Sequence, residues 1–163
     1  MESWWASKVR QFRSHVGARV APSERDELAT WLTEPQIALF DTMHVADRRH
    51  GLDVVATLRG DGVGEPDLLV AGLLHDAGKG QTAVGPRVAY SLGQRYGRGV
   101  WRVAGILPGW RVALWRLETH AETSAELAAA AGCSPRTVAL IRDQDAPRDA
   151  EFGELLRLAD DAN

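Results

Sequence analysis

Cysteine is all but missing from this chain: Cys133 is the only one in 163 residues. A single thiol excludes an internal disulfide and any thiolate cluster able to hold zinc or an iron–sulfur centre, and a reducing cytoplasm is the expected compartment. Long apolar runs are missing too. The longest, Leu68 to Leu74, is far short of the roughly 20 residues that cross a bilayer, so no transmembrane helix is expected. Between Met1 and Val20, Glu2, Lys8, Arg10, Arg13 and Arg19 interrupt the apolar residues, which leaves no signal-peptide core and makes secretion unexpected. No segment shows the sustained alternation of a half-buried strand, and there is no repeat or low-complexity tract.

Acidic residues are absent from one long stretch. Between Asp76 and Glu118 the chain carries Lys79, Arg87, Arg95, Arg98, Arg102, Arg111 and Arg116 with no counter-charge. Against a net charge of −3, this +7 block leaves the rest of the chain at −10. Tyr90, Tyr96, Trp101, Trp110 and Trp115 lie among these cations. Such a mixture over 79–116 can contact nucleic acid, a membrane surface or an acidic partner. The plainer reading, core aromatics plus solvated charges, is preferred for most of it, with two of the arginines expected to line the metal cleft.

What is present has helical spacing, and one all-α domain spanning 1–163 is expected, with 1–34 as a helical arm packed on a 35–163 core. In the arm, Trp5, Val9, Phe12 and Val16 form one apolar stripe. Ser23 with Asp26, and Thr33 with Pro35, are candidate helix starts. A longer helix is expected over 45–58, ended by Gly60-Asp61-Gly62, and the next over 67–77, apolar on nearly every side as a central helix would be. Gly78, Gly80, Gly85 and Pro86 mark a loop. Helices follow near 87–96, 100–107 and 111–131, then one opened by Ser134-Pro135 and a last amphipathic one over 151–161.

Chemistry concentrates at His75-Asp76-Ala77-Gly78-Lys79, where the most apolar helix ends. An imidazole and a carboxylate buried side by side cost much unless hydrogen bonds or a metal compensate, and a divalent cation would satisfy both. His50 recurs with Ala46, Val54 and Leu58 at intervals of four and so shares an inward face. On the last helix Phe152, Leu156 and Asp160 follow the same interval, whereas Asp161 goes outward with Glu154 and Arg157. His50, His75, Asp76 and Asp160 are therefore the expected ligands.

This order of a histidine, a His-Asp doublet followed by Gly78-Lys79, and a distant aspartate in Leu158-Ala159-Asp160 resembles the HD superfamily of metal-dependent phosphohydrolases over roughly 40–161. The resemblance implies an HD-type multi-helix bundle holding one divalent ion such as Mn, Fe or Mg and hydrolysing a small anionic phosphorylated metabolite or nucleotide. Relatives with two metals carry two more histidines before the last aspartate. Here only His120 stands in that interval, and Arg142, Asp143 and Gln144 occupy the place of a second, which argues for a mononuclear site. The glutamate-aspartate pair of some nucleotide hydrolases is replaced by Gly78, Lys79 and Gly80.

The expected roles are Asp76 orienting a water made acidic by the metal, Lys79 with nearby arginines neutralising phosphate, and His120 protonating the leaving oxygen. Plainer alternatives stand beside them: His120 as a core histidine bonded to a carbonyl, and Lys79 as a complement to a helix dipole. His15 and His44 are assigned no role. The alternative to an enzyme is an HD-fold binding or regulatory domain that keeps the metal and performs no reaction.

Overall fold

The computed structural model describes residues 17–163, so the expected stripe of Trp5, Val9, Phe12 and Val16, together with His15, lies outside the described residues. Ten α-helices and no strands make up the described chain, as an all-α fold requires. They are α1 (Pro22–Leu28), α2 (Glu34–Thr42), α3 (Val45–Gly60), α4 (Pro66–Leu74), α5 (Val84–Tyr96), α6 (Gly99–Ala104), α7 (Trp110–Glu118), α8 (His120–Ala130), α9 (Pro135–Arg142) and α10 (Gly153–Ala162). A short 3-10 turn, Ala77–Lys79, follows α4. None of the described helices is long and apolar enough to cross a membrane.

Local chemistry explains most boundaries. Pro35 and Pro135 stand in the first turns of α2 and α9, where a missing N–H costs nothing. Gln36 Oε1 accepts from the Thr33 N–H at 3.0 Å, and Ser134 Oγ accepts from the Thr137 N–H at 3.0 Å. His44 caps α3, its Nδ1 accepting from the Ala46 N–H at 3.2 Å.

Several expected boundaries are corrected. The cap of α1 is Ala21 rather than Ser23, because Pro22 opens the helix and Glu24 reaches back to the Ala21 N–H at 2.8 Å. Helix α5 begins at Val84, so Gly85 and Pro86 lie in its first turn instead of a loop. The stretch 111–131 is two helices broken at Thr119.

Helix α4 sits at the centre, packed by α3, α9 and α10. Its Leu68, Ala71, Leu73 and Leu74 are completely buried, together with Phe40, Val54 and Ile141 from its neighbours. Leu28 of α1 and Leu32 join the same core cluster. Burial of one such leucine is worth roughly 1.5–3 kcal/mol, so the middle of the bundle is fixed chiefly by α4.

The basic segment folds over one flank as α5, α6 and α7. Trp101 stacks on Tyr90 with ring centroids 5.0 Å apart and donates to the Tyr90 carbonyl at 3.0 Å. Trp110 is half-buried, while Tyr96 and Trp115 are exposed. Tyr90, Trp101 and Trp110 are thus partly buried on the flank, outside the core cluster, and the expectation of core aromatics fails for Tyr96 and Trp115.

Candidate metal centre

The C-terminus of α4 builds the centre. The last regular bond is His75 N–H to the Ala71 carbonyl at 2.9 Å. The chain then turns at Asp76 and tightens into the 3-10 turn, closed by Lys79 N–H to the Asp76 carbonyl at 3.0 Å. The expected helix over 67–77 thus ends three residues early, and the doublet stands in the turn. That geometry lets two adjacent side chains point into one space, which a continuing helix would set about 100° apart.

Two glycines bring the neighbouring elements close. A Cβ on Gly51 would strike the Leu73 carbonyl oxygen, so its absence lets α3 press on α4 and brings His50 beside His75. At Gly78 a Cβ would meet the His120 carbonyl and stand 2.7 Å from Ser124 N. The 3-10 turn therefore lies flush on α8, and Ser124 Oγ accepts the Gly78 N–H at 2.8 Å. From the other side, Gln144 Nε2 donates to the His75 carbonyl at 3.2 Å.

The side chains converge. His50 Nε2 and Asp160 Oδ1 are 2.7 Å apart, and the His50 and His75 ring centroids are separated by 5.2 Å. His75 Nε2 is 3.4 Å from Asp160 Oδ1 and 3.6 Å from Asp76 Oδ1. His50, His75 and Asp160 each offer one ligand atom, all within 4.8 Å of one another, an arrangement that can hold a metal ion. Asp160 remains partly open to solvent, and Asp161 points away into an ion pair with Arg157 at 2.6 Å.

Hydrogen bonding behind the site sets which nitrogen faces it. His75 Nδ1 is 2.9 Å from the Gly72 carbonyl, which can only accept, so Nδ1 carries the proton and neutral His75 presents a lone pair at Nε2. His75 Nε2 and Asp76 Oδ1 are both buried and neither has a hydrogen-bond partner. Two electron-rich atoms facing each other in a dry site are costly, and a cation between them removes the cost. The donor set of imidazole and carboxylate and this orphaned pair both fit a divalent ion.

Charges follow the same logic. Burial alone would lower the His75 pKa, but Asp76 and Asp160 override it and raise the ring to about 9. Burial would raise Asp76, yet Lys79, His75, His120 and His50 hold it well below the usual carboxylate range. Asp160 is likewise held low against burial, by its hydrogen bond with His50 and by the charge of the nearby His75 ring. A proton on His75 thus does in the bare site what a cation would do.

The remaining expected residues adjoin this cluster. Lys79 Nζ lies 2.5 Å from Asp76 Oδ2. His120, at the start of α8, donates from Nδ1 to the Leu117 carbonyl at 2.7 Å and turns Nε2 toward Asp76 Oδ1, 3.6 Å away. Burial, then Lys79, push its pKa below the usual imidazole value. Arg87 is engaged elsewhere: it grips buried Asp47 through two 2.6 Å bonds, which ties α5 to α3.

Sequence reasoning missed Ser124, Gln144, Asp47, Gly51 and the packing role of Gly78. Of these, only Ser124 carried a signal, its position four residues after His120. Comparison with protein-family models, with curated proteins and with solved structures gives no match.

Proposed function

We propose that this chain is a metal-dependent phosphohydrolase acting on a small phosphorylated metabolite or nucleotide. The observation that carries the reading is the orphaned pair, His75 Nε2 against Asp76 Oδ1, buried beside His50 and Asp160. The order of these residues and their resemblance to the HD superfamily support it. His50, His75, Asp76 and Asp160 would hold one divalent ion such as Mn, Fe or Mg, whose mixed nitrogen and oxygen ligands they supply. When bound, that ion supplies Lewis acidity to the phosphate and makes water more acidic.

The chain's own groups divide the remaining work. Asp76 Oδ1 faces the site and orients the attacking water, while Oδ2 is fixed by Lys79. Lys79 therefore balances Asp76 first and meets the substrate phosphate second. His120 rests neutral with its Nε2 lone pair turned inward. It takes the proton that the attacking water loses and returns it to the leaving oxygen, a relay rather than a standing acid. Arg87 is held by Asp47 and takes no part in binding phosphate.

The test is metal content and turnover of phosphomonoesters and nucleotides with added Mn or Co, for the native chain and for His75→Ala and Asp160→Ala. The proposal expects one bound ion per chain and turnover that both variants lose. Unchanged metal and turnover in the variants would end it. A second reading, a binding domain without reaction, is favoured by one feature: Lys79, the cation beside the centre, is already paired with Asp76. It predicts a ligand-dependent rise in melting temperature with no turnover.

A further inference from the structure

We propose that the α6–α7 hairpin is a docking face for an anionic lipid surface, independent of the metal centre. The hairpin exposes aliphatic and aromatic side chains that a water-facing turn has no use for. Ile106 is 80% exposed, Val103 69% and Trp115 61%, with Leu107 and Val112 beside them in sequence. Isolated exposed apolar residues need no explanation, but here five stand within thirteen positions of one hairpin, and Val112 and Trp115 among them line one groove.

Charge identifies the occupant. Arg102, Arg111 and Arg116 are exposed on the same hairpin, and none has a carboxylate partner among the described residues. Among the described residues, a surface groove of about 480 Å³ is lined by Arg111, Val112 and Trp115, which sets a cation, an aliphatic group and an indole around one opening. Cations interleaved with apolar tips are what the boundary between anionic headgroups and acyl chains accepts.

Other occupants fit less well. Residues 1–16 contain Lys8, Arg10 and Arg13 against Glu2 alone, the same sign as the hairpin. A second copy meeting this face about a two-fold axis would oppose arginine to arginine. Single-stranded nucleic acid wants stacking platforms, yet Trp101 is already stacked on Tyr90, leaving mainly aliphatic groups outward.

Flotation of the full chain with vesicles of phosphatidylcholine alone, or mixed equally with phosphatidylserine, tests the proposal at low and high salt. Binding is expected to the anionic vesicles and to weaken with salt. Each charge near such a surface is worth about fivefold, so Arg111→Glu should lose roughly twenty- to thirtyfold. Ile106→Asp combined with Trp115→Ala should lose at least about tenfold. Both changes are at exposed positions, and circular dichroism and melting temperature should match the native chain.

Absence of flotation, equal flotation with neutral vesicles, or unaltered binding by both variants would overturn the proposal. Retention of single-stranded RNA without flotation, or self-association that the Ile106 and Trp115 changes abolish without flotation, would do so as well.

Discussion

The candidate metal centre and the α6–α7 hairpin treat polarity in opposite ways. At the centre, cationic and anionic groups are interleaved at 2.5–3.6 Å and backbones touch where Gly51 and Gly78 leave no side chain between them. Along the hairpin, Arg102, Arg111 and Arg116 stand in solvent beside apolar groups, and the one carboxylate there, Glu118, is taken by Arg98. The first region has its geometry fixed from every side. The second leaves its apolar and cationic groups to solvent.

Core truncation should separate the two regions most sharply. Leu73→Ala, in the helix that presents the doublet, should cost ~2–5 kcal/mol, whereas Val103→Ala on the hairpin should stay within ~0.5 kcal/mol, both measured by urea unfolding. Comparable losses would mean that the hairpin is as much a part of the core as α4.

A pH series sharpens the electrostatic side. With the folded pKa of His75 raised to about 9 from an ordinary 6.5, its stabilisation is fully present below about 6.5 and is lost as pH rises through about 9. The metal-free protein should therefore lose up to ~3 kcal/mol across that window. Added Mn should cancel the loss, because metal and proton compete for the same nitrogen. A flat profile without metal would show that His75 is not held charged.

Glycine replacement gives the smallest contrast. Gly78→Ala should cost ~1–3 kcal/mol and weaken metal binding, because the new methyl would collide with the backbone of α8. Gly99 opens α6 with free space around it, and Gly99→Ala should be neutral or stabilising by up to ~1 kcal/mol. Thermal melts with and without Mn would read both.

Much of this arrangement was legible in residue spacing. The four-residue interval linking His50 to Val54 and Leu58, and Asp160 to Leu156, identified inward faces because helical geometry is local. The apolar run around Leu73 likewise revealed a central helix. The break at Thr119 was not legible, since apolar spacing continues through it and the interruption comes with the packing of the 3-10 turn on α8. Nor was the start of α5: Gly85 and Pro86 have turn chemistry, yet the first turn of a helix tolerates both. Gln144 reaches His75 across 69 positions, a tertiary contact that no local pattern encodes.

His50 and Asp160 touch although 110 positions separate them in the chain. Their contact ties the final helix to α3, aided by Asn163 Nδ2 on Thr57 Oγ1 at 3.0 Å. An ion held there would act as a removable fastener on a long loop, so chelation should free α10 before the α4–α9 pairing yields. The supply of a trace cation would then govern how firmly α10 is attached, whether or not any ester is ever cleaved.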